Sequence, residues 1–101
     1  MSAACAQDGL SAEHQIVLGA IYPLTGPQAQ GGRSELAGVQ AALRLSGADV
    51  RLQVIDATTP YAAAAAVDTL VQQYHVPAIL GTYGSTLAAA ASARAEELKT
   101  V

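Results

Sequence analysis

The sequence has no phenylalanine and no tryptophan, a single cysteine, and only five basic residues among its 101. Alanine occurs 23 times, as often as leucine, isoleucine and valine together. Close to half of the apolar content therefore brings only a methyl group to a core. This predicts thin helices packed close to a sheet and excludes a core built on aromatic rings. The lone Cys5 excludes an internal disulfide framework and a thiolate zinc cluster. Five basic against eight acidic residues, a net charge of −3, leave no electrostatic footprint for nucleic acid. No apolar run reaches the length of about 18 residues that a membrane-spanning helix needs, and no basic amphipathic stretch suits a membrane surface. Charged residues, at 13%, are too few for a disordered chain. The length allows one small domain at most.

Residues 1–13 are small and polar with no period, and read as a disordered tail or the remnant of a leader. Within them Ala4-Cys5-Ala6 has the form cleaved by signal peptidase, and Ser2-Ala3-Ala4-Cys5 is similar to a lipoprotein processing box that would anchor Cys5 to lipid. From Ile16 the pattern changes. Residues 16–21 are a continuous apolar run of strand length, as expected of a central parallel strand covered on both faces. An irregular stretch over residues 22–32 carries two prolines and three glycines. Leu36, Val39 and Leu43 then mark one face of a helix over residues 33–45, ended by Gly47 as a left-handed cap.

Residues 50–55 alternate in polarity, so this strand is half exposed and suits a sheet edge. Thr59 and Pro60 form a helix start, with Thr59 as N-cap and Pro60 in the first turn. Ala63, Val67, Leu70, Val71 and Tyr74 carry that helix to about His75, before Pro77 stops it. Residues 78–81 are a short buried strand. Residues 82–84 are a tight loop, and Ser85 caps a third, alanine-rich helix over residues 86–99.

The order β-α-β-α-β-α predicts an α/β fold: three layers, α/β/α, around a parallel sheet with right-handed crossovers. The continuous strand belongs in the middle and the alternating one at an edge, so the strand order is 2-1-3. Winding reverses between the first and third strands, and ligands of open α/β sheets bind at such a switch point, beyond the carboxyl ends of the strands. Two segments lie there, residues 22–32 and 82–85. The first has eleven residues, against about 2–6 for usual connections, which points to function. The second presents Ser85 and Thr86 at a helix N-terminus, where free N–H groups and the helix dipole suit a carboxylate or phosphate. From spacing alone Ser85 is equally a plain N-cap. Tyr22 and Tyr83 either cover the sheet edge or bind. Asp56 caps a turn. His75 decorates a helix C-terminus and His14 is solvated. Two histidines with no ligand spacing between them exclude a metal site.

Enzyme signatures are missing. No phosphate-binding G-x-x-x-x-G-K-[ST] occurs, residues 81–85 are not G-x-G-x-x-G, and Ser85 is not followed by the x-Gly of a nucleophile elbow. No carboxylate pair is placed for acid–base work, and no cofactor is expected.

Residues 17–26 (VLGAIYPLTG), Ala29-Gln30-Gly31-Gly32, Glu35-Leu36-Ala37-Gly38, Asp56, Pro60-Tyr61-Ala62 and residues 76–85 (VPAILGTYGS) occur in an order that resembles type I periplasmic solute-binding proteins. Within these they are most similar to the branched-chain amino-acid binders that serve ABC importers. The resemblance implies a non-enzymatic, extracytoplasmic protein that binds a small amino acid or related carboxylate between two α/β lobes and delivers it to an ABC permease. It implies that Ser85 holds the ligand carboxylate with Thr86, Tyr83 and Gly84 beside it. Tyr22, Gln30 and Gly31 would line the side-chain pocket. Gly31 stands where some amino-acid binders carry a bulky aromatic. Family chains are several times longer, so residues 14–101 would form the first half of the N-terminal lobe. Such a piece leaves the third strand with an unpaired edge and is not expected to bind tightly alone. The same architecture also resembles cytoplasmic amide-sensing regulators, which bind a small molecule and then a protein partner. The lack of a full leader fits that class.

Overall fold

The computed structural model describes residues 15–101; the tail, Cys5 and His14 lie outside the described residues. Three strands, β1 (Ile16–Tyr22), β2 (Val50–Asp56) and β3 (Ile79–Gly81), alternate with helices α1 (Ala29–Ser46), α2 (Pro60–Gln72) and α3 (Ser85–Glu97). The sheet has the order β2-β1-β3. Both pairings are parallel, with Ile16 opposite Val50 and Tyr22 opposite Asp56 on one side, and Gly19 opposite Ile79 on the other.

β1 suits the central place because it is apolar on both faces over seven residues, whereas β2 alternates in polarity and β3 is only three residues long. Side chains alternate across a strand, so Val17, Gly19 and Ile21 face one way and Leu18, Ala20 and Tyr22 the other. Right-handed crossovers in opposite directions place α1 on one face and α2 with α3 on the other. The main core lies on the second face. Ile21, Ala63, Val67 and Leu70 are each fully buried there, with Ala66, Leu87 and Ala91 beside them. Small residues make this thin layer possible. A Cβ at Gly19 would stand 2.8 Å from Leu70 Cδ1, so the missing side chain is what lets α2 lie close on β1. Full burial of side chains such as Val67 and Leu70 contributes about 1.5–3 kcal/mol each. Across this layer Arg94 Nε donates to Asp68 Oδ1 at 2.6 Å, tying α3 to α2.

Several element bounds differ from the sequence expectations, most by one or two residues, and three differences change the place of a residue singled out in the sequence. α1 begins at Ala29, not Arg33, so the connection from β1 is residues 23–28, six residues and of ordinary length. Gly31 and Gly32, which resemble loop residues, belong to the first turn because something must pass close to them. A Cβ at Gly32 would lie 1.9 Å from the Pro23 carbonyl oxygen. α2 ends at Gln72, before His75, which adopts a left-handed φ of 52°. The Val76 N–H then donates back to the Leu70 carbonyl at 3.2 Å. Finally, Gly84 is the N-cap of α3, and Ser85 is its first helical residue.

Thr59 and Gly47 act as their residue types predict. Thr59 is extended and its Oγ1 accepts the Ala62 N–H at 3.0 Å; Gly47 closes α1 at φ 68°. Leu36, Val39 and Leu43 form the half-buried face of α1, while Leu45 is 88% exposed. β2 lies at an edge with Arg51 exposed.

Two glycines of α1 give substitutions of opposite sign. Gly32→Ala should destabilise the protein by about 1–3 kcal/mol, because the obstructing atom is backbone. Gly38 has nothing within 4 Å of its Cβ position, so Gly38→Ala should stabilise by about 0.5–1 kcal/mol. Urea denaturation midpoints of the two variants check both signs.

Candidate functional site

Three connections leave the carboxyl rim of the sheet: residues 23–28, 57–59 and 82–84. The first is pinned from below. Asp56, the last residue of β2, accepts the Leu24 N–H on Oδ1 at 2.7 Å and the Thr25 hydroxyl on Oδ2 at 2.8 Å. Arg33 Nε donates to the Leu24 carbonyl at 2.9 Å from the other side. Beside this latch the Ala57 N–H donates to the Tyr22 carbonyl at 3.1 Å. Asp56 thus caps not its own turn but a loop 31 and 32 residues earlier. The Leu24 N–H holds its carboxyl below the ordinary carboxylate range. Partial burial opposes this, and the Thr25 hydroxyl, the Thr25 N–H and the Arg33 charge add to it.

Tyr22 is only 4% exposed. Burial, and then the negative charge of Glu35, push its phenol above the ordinary tyrosine value, so the ring stays neutral. It lies on the α1 side of the sheet and lines neither of the two cavities at this end.

The smaller cavity, about 380 Å³, is lined by Pro27, Gln28, Gln30, Gly31, Ser34 and Tyr83. The loop and first turn after β1 therefore meet the loop after β3, and Gln30, Gly31 and Tyr83 share one cleft. Pro27, Gln28 and Ser34 were not anticipated. Ser34 lies four residues after Gln30, so both stand on one helix face, a relation visible in the sequence only if α1 is started at Ala29. Ser85 lies in a separate, largely apolar groove of about 910 Å³ along β3 and α3, with Ile79, Thr82 and Ala88 among its walls. At its far end the Ile79 N–H donates to the Val101 carbonyl at 2.8 Å.

The helix starts at this rim are not alike. Thr59 caps α2 with its side chain, whereas Gln28 and Gly84, at the starts of α1 and α3, make no side-chain cap. The first N–H groups of a helix have no partner within it. In α1 the Ala29 N–H is taken by the Gly26 carbonyl at 3.1 Å. The N–H groups of Gln30 and Gly31, and those of the first turn of α3, have no side-chain cap, and the hydroxyls of Ser85 and Thr86 stand in that turn of α3. Such a rim can bind an anionic group. Among the described residues no cluster of histidine, cysteine or carboxylate side chains could hold a metal ion, and no helix is long and apolar enough to cross a membrane.

A family model for periplasmic binding proteins matches residues 15–101. The chain belongs to this family. Solved structures agree on the fold. An ABC transporter substrate-binding protein from Sphaerobacter thermophilus is 28% identical at a TM-score of 0.79, over 86% of this chain and 25% of that one. The leucine-binding protein LivK of Thermotoga maritima is 29% identical at 0.78, over 84% and 26%. The branched-chain amino-acid transporter substrate-binding protein LivJ of Streptococcus pneumoniae, solved with isoleucine, is 26% identical at 0.77, over 85% and 27%. The chain thus spans about a quarter of the length of these proteins. No curated protein sequence matches it significantly. The fold is that of part of a type I periplasmic binding domain, and the relatives are solute-binding proteins of ABC transporters.

The latch has a pH signature. Because the folded carboxyl of Asp56 titrates below its ordinary 3.8, the latch is complete above that value and its stabilisation is lost as the pH falls through the lower folded value. Asp56→Ala should cost about 1 kcal/mol at neutral pH, discounted for exposure. The difference from wild type should shrink below about pH 4, as urea titrations across pH will show.

Proposed function

We propose that these residues form part of the ligand-holding wall of an ABC importer's substrate-binding protein. It works outside the cytoplasm on a small amino acid or related carboxylate. The observation that carries this reading is the contrast between helix starts: α1 and α3, beside the switch point, are uncapped, while α2, at the sheet edge, is capped. A carboxylate at the start of α3 receives the first-turn N–H groups and the hydroxyls of Ser85 and Thr86, with the Tyr83-Gly84 turn placing them. Gln30 and Gly31 line the side away from the carboxylate. Tyr22, buried beneath, holds the root of the loop.

The named ligands of two relatives, leucine and isoleucine, carry the α-carboxylate this arrangement would take. Binding of this kind needs no bond made or broken, so the role is recognition and delivery to a membrane permease, not catalysis. Residues 15–101 would supply one side of the cleft and a second lobe the other.

In the native protein Ser85→Ala should weaken amino-acid binding by roughly 1–3 kcal/mol, the cost of leaving a buried polar partner unpaired. Calorimetric titration with a panel of α-amino acids reads this directly. Unchanged affinity removes Ser85 from the site.

A further inference from the structure

The contact between Gly31 and Tyr83 carries an inference that rests on the reading above and sharpens it. A Cβ on Gly31 would lie 2.2 Å from Tyr83 Cζ and 2.5 Å from each Cε. Equal approach of both ring edges, with Cζ nearest, means that the phenol lies face-on over the Gly31 backbone. Position 31 therefore has no side chain because the ring of Tyr83, 52 residues later, occupies its place. The ring closes one wall of the 380 Å³ cleft, and the other walls are Pro27, Gln28, Gln30 and Ser34. Apart from the proline ring, that lining offers no aliphatic side chain and no charge. It offers two carboxamides and two hydroxyls, groups that donate and accept hydrogen bonds.

We propose that the Gly31–Tyr83 stack is the selectivity element of the site, and that it favours solutes whose end remote from the carboxylate is polar and uncharged. An aliphatic end placed here strips water from Gln28, Gln30, Ser34 and the Tyr83 hydroxyl without replacing the lost hydrogen bonds. A carboxamide or hydroxyl end replaces them. A charged end meets no counter-charge in the lining.

Asparagine and leucine test this, since the two are nearly the same shape and share the α-carboxylate. The native protein should bind asparagine at least tenfold more tightly than leucine by calorimetry. Gly31→Ala should lower that ratio about tenfold. The clash falls on the far end of a side chain that is 37% exposed, so the ring swings away and the fold survives. Tyr83→Phe keeps the ring and removes only the hydroxyl, and should lower the ratio severalfold at unchanged melting temperature. A preference for leucine in the wild type overturns the proposal. So does a ratio that neither substitution alters, while binding that still depends on Ser85 leaves the parent reading standing. Failure of the wild type to bind either amino acid overturns both.

Discussion

Both edges of β1 are occupied, and the rest of the molecule follows from that constraint. A parallel neighbour on each side requires the chain to leave β1 by one face to reach β2 and to return across the other to reach β3. α1 is thereby separated from α2 and α3, and the connections after β1 and β3 part company at the same rim. The crevice between them does not depend on an unusually long loop, since residues 23–28 form a connection of ordinary length. It arises from topology, as in other open α/β sheets, and what lies in it depends on the first turns of α1 and α3.

Close approach is the second theme, and it explains a composition poor in large side chains. Gly19 admits Leu70, Gly32 admits the Pro23 carbonyl, and Gly31 admits the ring of Tyr83. Alanines at 63, 66 and 91 keep the α2–α3 layer thin. The glycines of the first turn of α1 are therefore steric requirements. They place a helix start within reach of two loops, and Asp56 then fixes the nearer loop by accepting hydrogen bonds from the Leu24 N–H and the Thr25 hydroxyl.

The strand order could be read from polarity alone. Residues 16–21 lack alternation and lie centrally; residues 50–55 alternate and lie at the edge. Local capping was legible wherever a residue type acts on its own neighbours, as with Thr59 and Gly47. It failed where distant atoms decide. Gly31-Gly32 imitates a loop unless Pro23 and Tyr83 are known to press on it. Ser85 imitates an N-cap unless Gly84 is seen to hold that position. By spacing the helix over 60–72 runs on to His75, but His75 turns left-handed and the chain folds back on Leu70. Of the site, the meeting of Gln30 and Gly31 with Tyr83 was anticipated from the switch point. The partners of Asp56 and the stacking of Tyr83 on Gly31 were not, because each joins residues more than thirty positions apart.

The central claim is that a carboxylate ligand engages the two uncapped helix starts and leaves the capped one alone. Amide NMR of the native protein, titrated with an α-amino acid that it binds, tests this most directly. The account predicts that the signals of Ser85, Thr86 and Leu87 move with those of Gln30 and Gly31, while Tyr61 and Ala62 at the start of α2 stay in place. Movement at the start of α2 with none at the start of α3 would contradict it.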